Sequence, residues 1–163
     1  MNIYPSMKAA QAHEGAILVV RVSDQEWRAY VEGDELPIPS LAERQAACWE
    51  EIKTHRDRLS DTGGYKVAVA GVDKWFHSDP KSKIQQIALK DLGAGIPAGL
   101  QWKTMDGSFV PMTQALALQV FLAAVAQDQA IFQAAETHKA AMLAAPDPDS
   151  YDFSAGWPAV YGG

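Results

Sequence analysis

Residues 113–145 read TQALALQVFLAAVAQDQAIFQAAETHKAAMLAA, a run with neither Gly nor Pro. Ala, Leu and Gln lose little on entering a helix, so the run predicts one helix of about thirty residues, roughly 45 Å long at 1.5 Å per residue. Thr113 is placed to cap its start and Pro146 to stop it. Leu118, Leu122, Val125, Phe132 and Lys139, with Gln129 between them, approximate a heptad seam. A rod of this length is longer than a small domain is wide. The seam therefore calls for an antiparallel partner helix, and the remaining apolar positions around Phe121, Ile131 and Met142 for a sheet or a second chain. The excess length predicts a homo-oligomer formed through this helix.

The partner helix lies upstream. Ser40 and Glu43 form a capping box at the head of SLAERQAACWEEIKTHRDRLS, residues 40–60, and Gly63-Gly64 ends it. Leu41, Cys48, Ile52, His55 and Leu59 fall on one stripe at helical spacing. YKVAV (65–69) and VDKWF (72–76), split only by Ala70-Gly71, predict a tight hairpin. Ser78 or Asp79 can cap a helix that begins at Pro80 and runs to about Leu92. Gly93, Gly95, Pro97 and Gly99 then break the chain. In QWKTMDGSFVPMT (101–113), Asp106-Gly107 predicts a two-residue turn with positive φ at both positions. That register sets Thr104 opposite Phe109 and Trp102 near Pro111. The first 38 residues predict another hairpin, with strands at 16–22 and 26–31 joined by Ser23-Asp24-Gln25 and closed by Gly33-Asp34, and Pro37-Ile38-Pro39 as a stiff connector. The fold class is α+β: a long C-terminal helix paired antiparallel with a shorter helix, beside a small antiparallel sheet. The segments are an N-terminal hairpin (1–38), the α+β domain (40–145) and a Pro, Asp and Gly-rich tail (146–163).

Composition narrows the chemistry. A chain of 163 residues with 48% hydrophobic content can bury one ordinary core. A formal charge of −6 without a basic patch opposes nucleic-acid binding. The single cysteine, Cys48, excludes an internal disulfide and fits a reducing cytoplasm. The N-terminus lacks the pattern of a signal peptide. The run ALALQVFLAAVA is interrupted by Gln119 and followed by Gln127 and Asp128, which reads as too short for a membrane span.

The chemistry-bearing residues read mostly as structure. His77, Ser78 and Asp79 suit a strand end and a helix cap better than a metal or hydrolytic set. His55 sits on an apolar stripe as a packed, hydrogen-bonded histidine, and Cys48 belongs to the core. LGAGIPAGL lacks the basic residue and strand-to-helix setting of a phosphate loop. No catalytic, cofactor-binding or metal-ligating residue is expected, and no cofactor. The tail differs, because Tyr151, Phe153, Trp157 and Tyr161 are set among Pro, Asp and Gly. Such a segment either folds back on its own domain or docks on a partner.

Three motifs in order, KWFHSD at 74–79, WKTMDGSF at 102–109 and GWP at 156–158, lie within a stretch of about 44 to 158 that resembles a phage-associated domain of unknown function. That domain recurs at the C-termini of tail-fibre assembly proteins of tailed bacteriophages and prophages. The resemblance implies a non-enzymatic helper of tail-fibre folding or attachment in the bacterial host cytoplasm, with the fibre protein as its partner. It supplies no catalytic residues. The alternatives are a permanent component of the virion tail or fibre tip and, less in keeping with the residues, a hydrolase of cell-surface polymer. The hydrolase would need Asp73, Asp79 and Asp106 gathered in one cleft.

Overall fold

The computed structural model describes residues 2–4, 7–14, 16–23, 26–31 and 38–162. They form two compact units, Met1–Ser40 and Leu41–Gly163.

The first unit pairs β2 (Leu18–Ser23) with β3 (Glu26–Tyr30), the hairpin expected from the strand-like runs at 16–22 and 26–31. Two elements were not legible. β1 (Asn2–Tyr4) joins the other edge of β3, giving the antiparallel order β1-β3-β2, and α1 (Met7–Gln11) follows it. A lone hairpin is marginal in water, and a third strand with a helix lets Ala10, Ala29 and Tyr30 become buried. The turn at Asp24-Gln25, the Gly33-Asp34 closure and Pro37 lie outside the described residues.

The second unit is α+β, built on α4 (Gln114–Ala144), whose start is capped by Thr113 accepting from the Leu116 N–H at 3.1 Å. α2 (Leu41–Thr62) runs antiparallel to it, since Gln45 Nε2 donates to Leu143 O at 3.4 Å while Ser60 Oγ reaches Asp128 at 2.8 Å. α3 (Pro80–Leu92) continues in the same direction as α2. Its Lys83 meets Asp128 at 3.0 Å and its Lys90 lies 4.7 Å over the Phe121 ring. Two shorter helices thus lie in succession along one long one, joined where Ser60, Lys83 and Asp128 meet, with Lys83 Nζ 3.1 Å from Ser60 Oγ. The antiparallel pairing of α4 with the shorter helix α2 is as expected, and the length beyond α2 is occupied by α3.

The hairpin β4 (Tyr65–Val69) and β5 (Val72–Phe76) bridges α2 and α3, and β6 (Gln101–Lys103) pairs with β7 (Phe109–Pro111) just before α4. The small antiparallel sheet of this unit is thus, among its described residues, two separate two-stranded ones. They share a core with the N-terminal half of α4, where Tyr65, Val67, Phe76, Val110 and Met112 pack on Leu116, Ala117 and Val120. A second cluster, Cys48, Ile52, Ala135 and Met142, holds α2 to the C-terminal half.

The heptad seam is also corrected. Leu118, Leu122, Val125 and Phe132 are all about half exposed. The inward stripe is Leu116, Ala117, Val120, Ile131, Ala135, His138 and Met142. Both stripes obey helical spacing, and a helix apolar around most of its circumference has no face that periodicity alone can select. Ile131 and Met142, two of the positions left over for a sheet or second chain, are fully buried in the core. By length and composition α4 as a whole, rather than its central run alone, is long and apolar enough to cross a membrane. Here one side of it is the core of the unit. On α2, Cys48, Ile52 and Leu59 are buried as the stripe predicts, while Leu41 is exposed.

Candidate functional site

The four tail aromatics are positioned by a strap that leaves α4 at Ala145 and returns along α2. Asp147 and Asp149 anchor its start on Arg44, at 2.8 and 3.1 Å. Pro148 is buried in the short 3-10 turn Pro148–Ser150. Tyr151, Phe153 and Trp157 then pack on the cluster of Cys48, Ile52, Ala135 and Met142. Of the two readings of the tail, the fold-back arrangement is the one adopted.

Trp157 sits between two imidazoles. Its ring lies 4.8 Å from that of His55 and 4.9 Å from that of His138, stacked on the latter at 28°. Its indole N–H donates to Phe153 O at 2.7 Å, which satisfies its polar edge inside the strap. His138 Nδ1 and the Tyr151 hydroxyl are 2.9 Å apart. Gly156 brings the backbone against His138 with φ +89°, and a Cβ there would lie 3.5 Å from Nε2. His55 is the packed, hydrogen-bonded residue the stripe predicts, with Nδ1 3.1 Å from Arg58 Nη2. Because a guanidinium only donates, that nitrogen is an acceptor and the ring is neutral. Burial pushes the His55 pKa down, and the charges of Arg58 and His138 add to the shift. Burial also pushes the Cys48 thiol up, away from the thiolate that a nucleophile needs.

The strap ends on the β4–β5 side. Val160 packs on Gly63, where a Cβ would come within 2.7 Å of its side chain. The Tyr161 N–H donates to Gly63 O at 2.8 Å, and its ring stands edge-on to Trp75 at 6.2 Å. Gln127 Nε2 holds Ala159 O at 2.8 Å. Between strap and α2 a cleft of about 350 Å³ is lined by His55, Arg58, Leu59, Trp157 and Val160 among others. Tyr161 alone of the four aromatics is exposed, at 40%.

His138 was missed from the sequence. Its signal was its place on the stripe Ile131, Ala135, His138, Met142, hidden while the outward stripe passed for the seam.

The three carboxylates that a hydrolase would gather are held apart in separate tasks. Asp73 pairs with Lys66 at 3.0 Å across the β4–β5 hairpin. Asp79 caps α3 by accepting from the Ser82 N–H at 3.0 Å, and hydrogen bonds from Ser82 push its pKa down. Asp106 locks a turn, with its pKa lowered first by Lys74 and then by Thr104 and Ser108. Ser78 is buried and accepts from the Gly64 N–H at 2.9 Å. Among the described residues no group of three or more His, Cys, Asp or Glu is placed to hold a metal ion. Tyr65, deeply buried, gives its hydroxyl to Gln86, whose amide donates to His77 O at 3.0 Å.

Residues 43–155 match the family described as Domain of unknown function (DUF4376). The chain belongs to this family. The DUF4376 segment runs from the first turn of α2 through Tyr151 and Phe153 and ends before Trp157 and Tyr161, so the strap begins inside the family's span and finishes outside it. No curated protein and no solved structure matches the chain.

Proposed function

We propose that this protein is a non-enzymatic tail-fibre assembly protein of a tailed phage or prophage, acting in the host cytoplasm by covering fibre segments that have not yet found their trimer partners. The sequence resemblance through KWFHSD, WKTMDGSF and GWP supports the phage association. Unassembled fibre chains expose apolar patches and strand edges that aggregate unless covered.

One observation carries the reading: the Trp75 and Tyr161 pair. Tyr161 is anchored through its own backbone and braced edge-on by Trp75, yet keeps 40% of its surface exposed. A held aromatic loses little entropy on binding, which suits it to anchor a partner. Tyr151, Phe153 and Trp157 act behind it by holding the strap in place.

Co-expression with the fibre protein tests this through the yield of soluble trimeric fibre. Tyr161→Ala is expected to lower that yield while leaving the melting temperature nearly unchanged. Trp157→Ala is expected to lower both, because it uncovers the cluster under the strap. Undiminished fibre from Tyr161→Ala would overturn the aromatic anchor. Stoichiometric amounts of the protein in purified particles would favour a permanent tail part instead.

A further inference from the structure

From Gln114 to Gln127 no residue of α4 is charged, yet one side of that stretch faces outward. Leu118, Leu122, Val125 and Phe132 on α4, with Ile84 and Ile87 on the adjoining α3, are between 44% and 68% exposed. Ile87 and Val125 line one shallow groove together with Phe121, with the ion pair of Lys83 and Asp128 in its wall. Arg56 lies 4.6 Å over the Phe132 ring, which leaves part of that ring open. Contiguous exposed apolar surface on this scale marks an interaction site.

We infer that this face docks on a second copy of itself, antiparallel, about a two-fold axis between Leu122 and Val125. Charge and spacing select this occupant. The chain carries −6 overall, so two copies approach most easily through a face whose rim charges, Lys83 with Asp128 and Arg56 with Asp57, are already paired. The outward positions 118, 122, 125, 129 and 132 alternate steps of four and three, the spacing of a coiled-coil seam. With the axis placed there, Leu122 meets Val125 of the other copy, Leu118 meets Gln129, and Phe132 meets Ala115, a large side chain against a small one. Every layer is apolar or amide. Moving the axis to the middle of the full seam, near Gln129, instead sets Lys139 against Leu118 and Glu136 against Leu122, burying charges on apolar partners. The strip from Ala115 to Phe132 is about 27 Å long at helical rise. With the α3 isoleucines beside it, the strip is on the order of the roughly 800 Å² per partner of a standard interface.

Sedimentation equilibrium of the full chain, alone, at tens of micromolar tests the proposal. The expected species has twice the 17.7 kDa chain mass. Leu122→Lys and Val125→Glu are each expected to weaken the dimer by at least about a hundredfold, since each sets a charge against an apolar partner. Both positions are exposed, so circular dichroism should show each variant folded. Mixing the two single variants should restore a dimer, because the register sets the introduced lysine of one copy against the introduced glutamate of the other across the axis. Leu143→Glu, outside the strip, should leave it intact. A monomeric wild type would overturn the proposal, as would dimers that survive Leu122→Lys. Failure of the mixed variants to associate would overturn the register. The measurement uses no fibre protein, so its result stands apart from the assembly reading.

Discussion

The two hairpins of the second unit turn on similar residue pairs, Ala70-Gly71 and Asp106-Gly107, and they turn differently. The first is the two-residue loop that its sequence predicts, with Val69 paired to Val72 and φ of +50° at Ala70 and +82° at Gly71. The second, although Asp-Gly is the stronger signal for such a loop, has three residues between Thr104 and Ser108. Thr104 N donates to Ser108 O at 2.8 Å, Gly107 N donates to Thr104 O at 2.9 Å, and of the loop residues only Gly107 has positive φ. Lys103 pairs with Phe109, and Trp102 with Val110. The expected pairing of Thr104 with Phe109, and Trp102 near Pro111, was off by one residue, which in a strand exchanges the two faces. Phe109 is consequently exposed while Val110 and Thr104 are buried.

Side chains account for the difference. Ala70-Gly71 is flanked by valines, which offer the backbone no competing hydrogen bond, so the strand twist selects the turn. Asp106 is flanked by hydroxyls. Its Oδ1 accepts from Thr104 Oγ1 at 2.6 Å, from Ser108 N at 2.9 Å and from Ser108 Oγ at 2.7 Å, while Lys74 Nζ holds Oδ2 at 2.8 Å. An aspartate engaged with its own turn favours negative φ and the longer loop. The first hairpin also reaches the second through Met105 N, which donates to Trp75 O at 2.9 Å.

The largest expected effect breaks the junction between the hairpins. Gly64 has φ +70°, and a Cβ there would strike the Met105 sulfur and come within 2.9 Å of Phe76 O. Gly64→Ala should cost on the order of 3 kcal/mol in denaturant unfolding, from backbone strain and overpacking together. A cost below about 1 kcal/mol would show that Met105 yields freely. Gly107→Val isolates the conformational part, because nothing lies within 4 Å of a Cβ at this position. It should cost about 1 to 3 kcal/mol. Equal melting of variant and wild type would remove the left-handed position from the second turn.

Asp106→Ala tests whether the carboxylate sets the longer loop. Its folded pKa is depressed, first by the Lys74 hydrogen bond. The wild-type advantage should therefore be complete above the unfolded carboxyl value of about 4 and shrink as pH falls through the lower folded value. Thermal melts at pH 7 and at about pH 2 check this, and an advantage that does not change with pH would contradict it. The smallest effect sharpens the comparison from the other side. Ala70 is a non-glycine residue held at φ +50°, so Ala70→Gly should stabilise the first hairpin by about 0.5 kcal/mol, the relief of strain exceeding the added freedom of the unfolded chain.

Local signals were legible wherever one residue type does one job. Thr113 caps α4, Asp79 caps α3 with Pro80 behind it, and the cysteine and histidine of α2 lie on its packed stripe. The tail aromatics stood out by composition, but whether they folded back depended on Arg44, His55 and His138, distant in sequence and aligned only by packing. β1 and α1 carry too few residues for periodicity to register.

By itself the sequence determined that residues 114–144 form one helix, since caps, propensity and the absence of breakers act within a few residues. Only the tertiary structure decided which side of that helix is inside. Ile131 and Phe132 are neighbours of similar apolar character, and one is fully buried while the other is half exposed. Where apolar residues surround a helix, the free energy of burial is nearly the same for several faces. The choice then falls to the neighbours that arrive, here α2 and α3 end to end, and to the strap that closes over them.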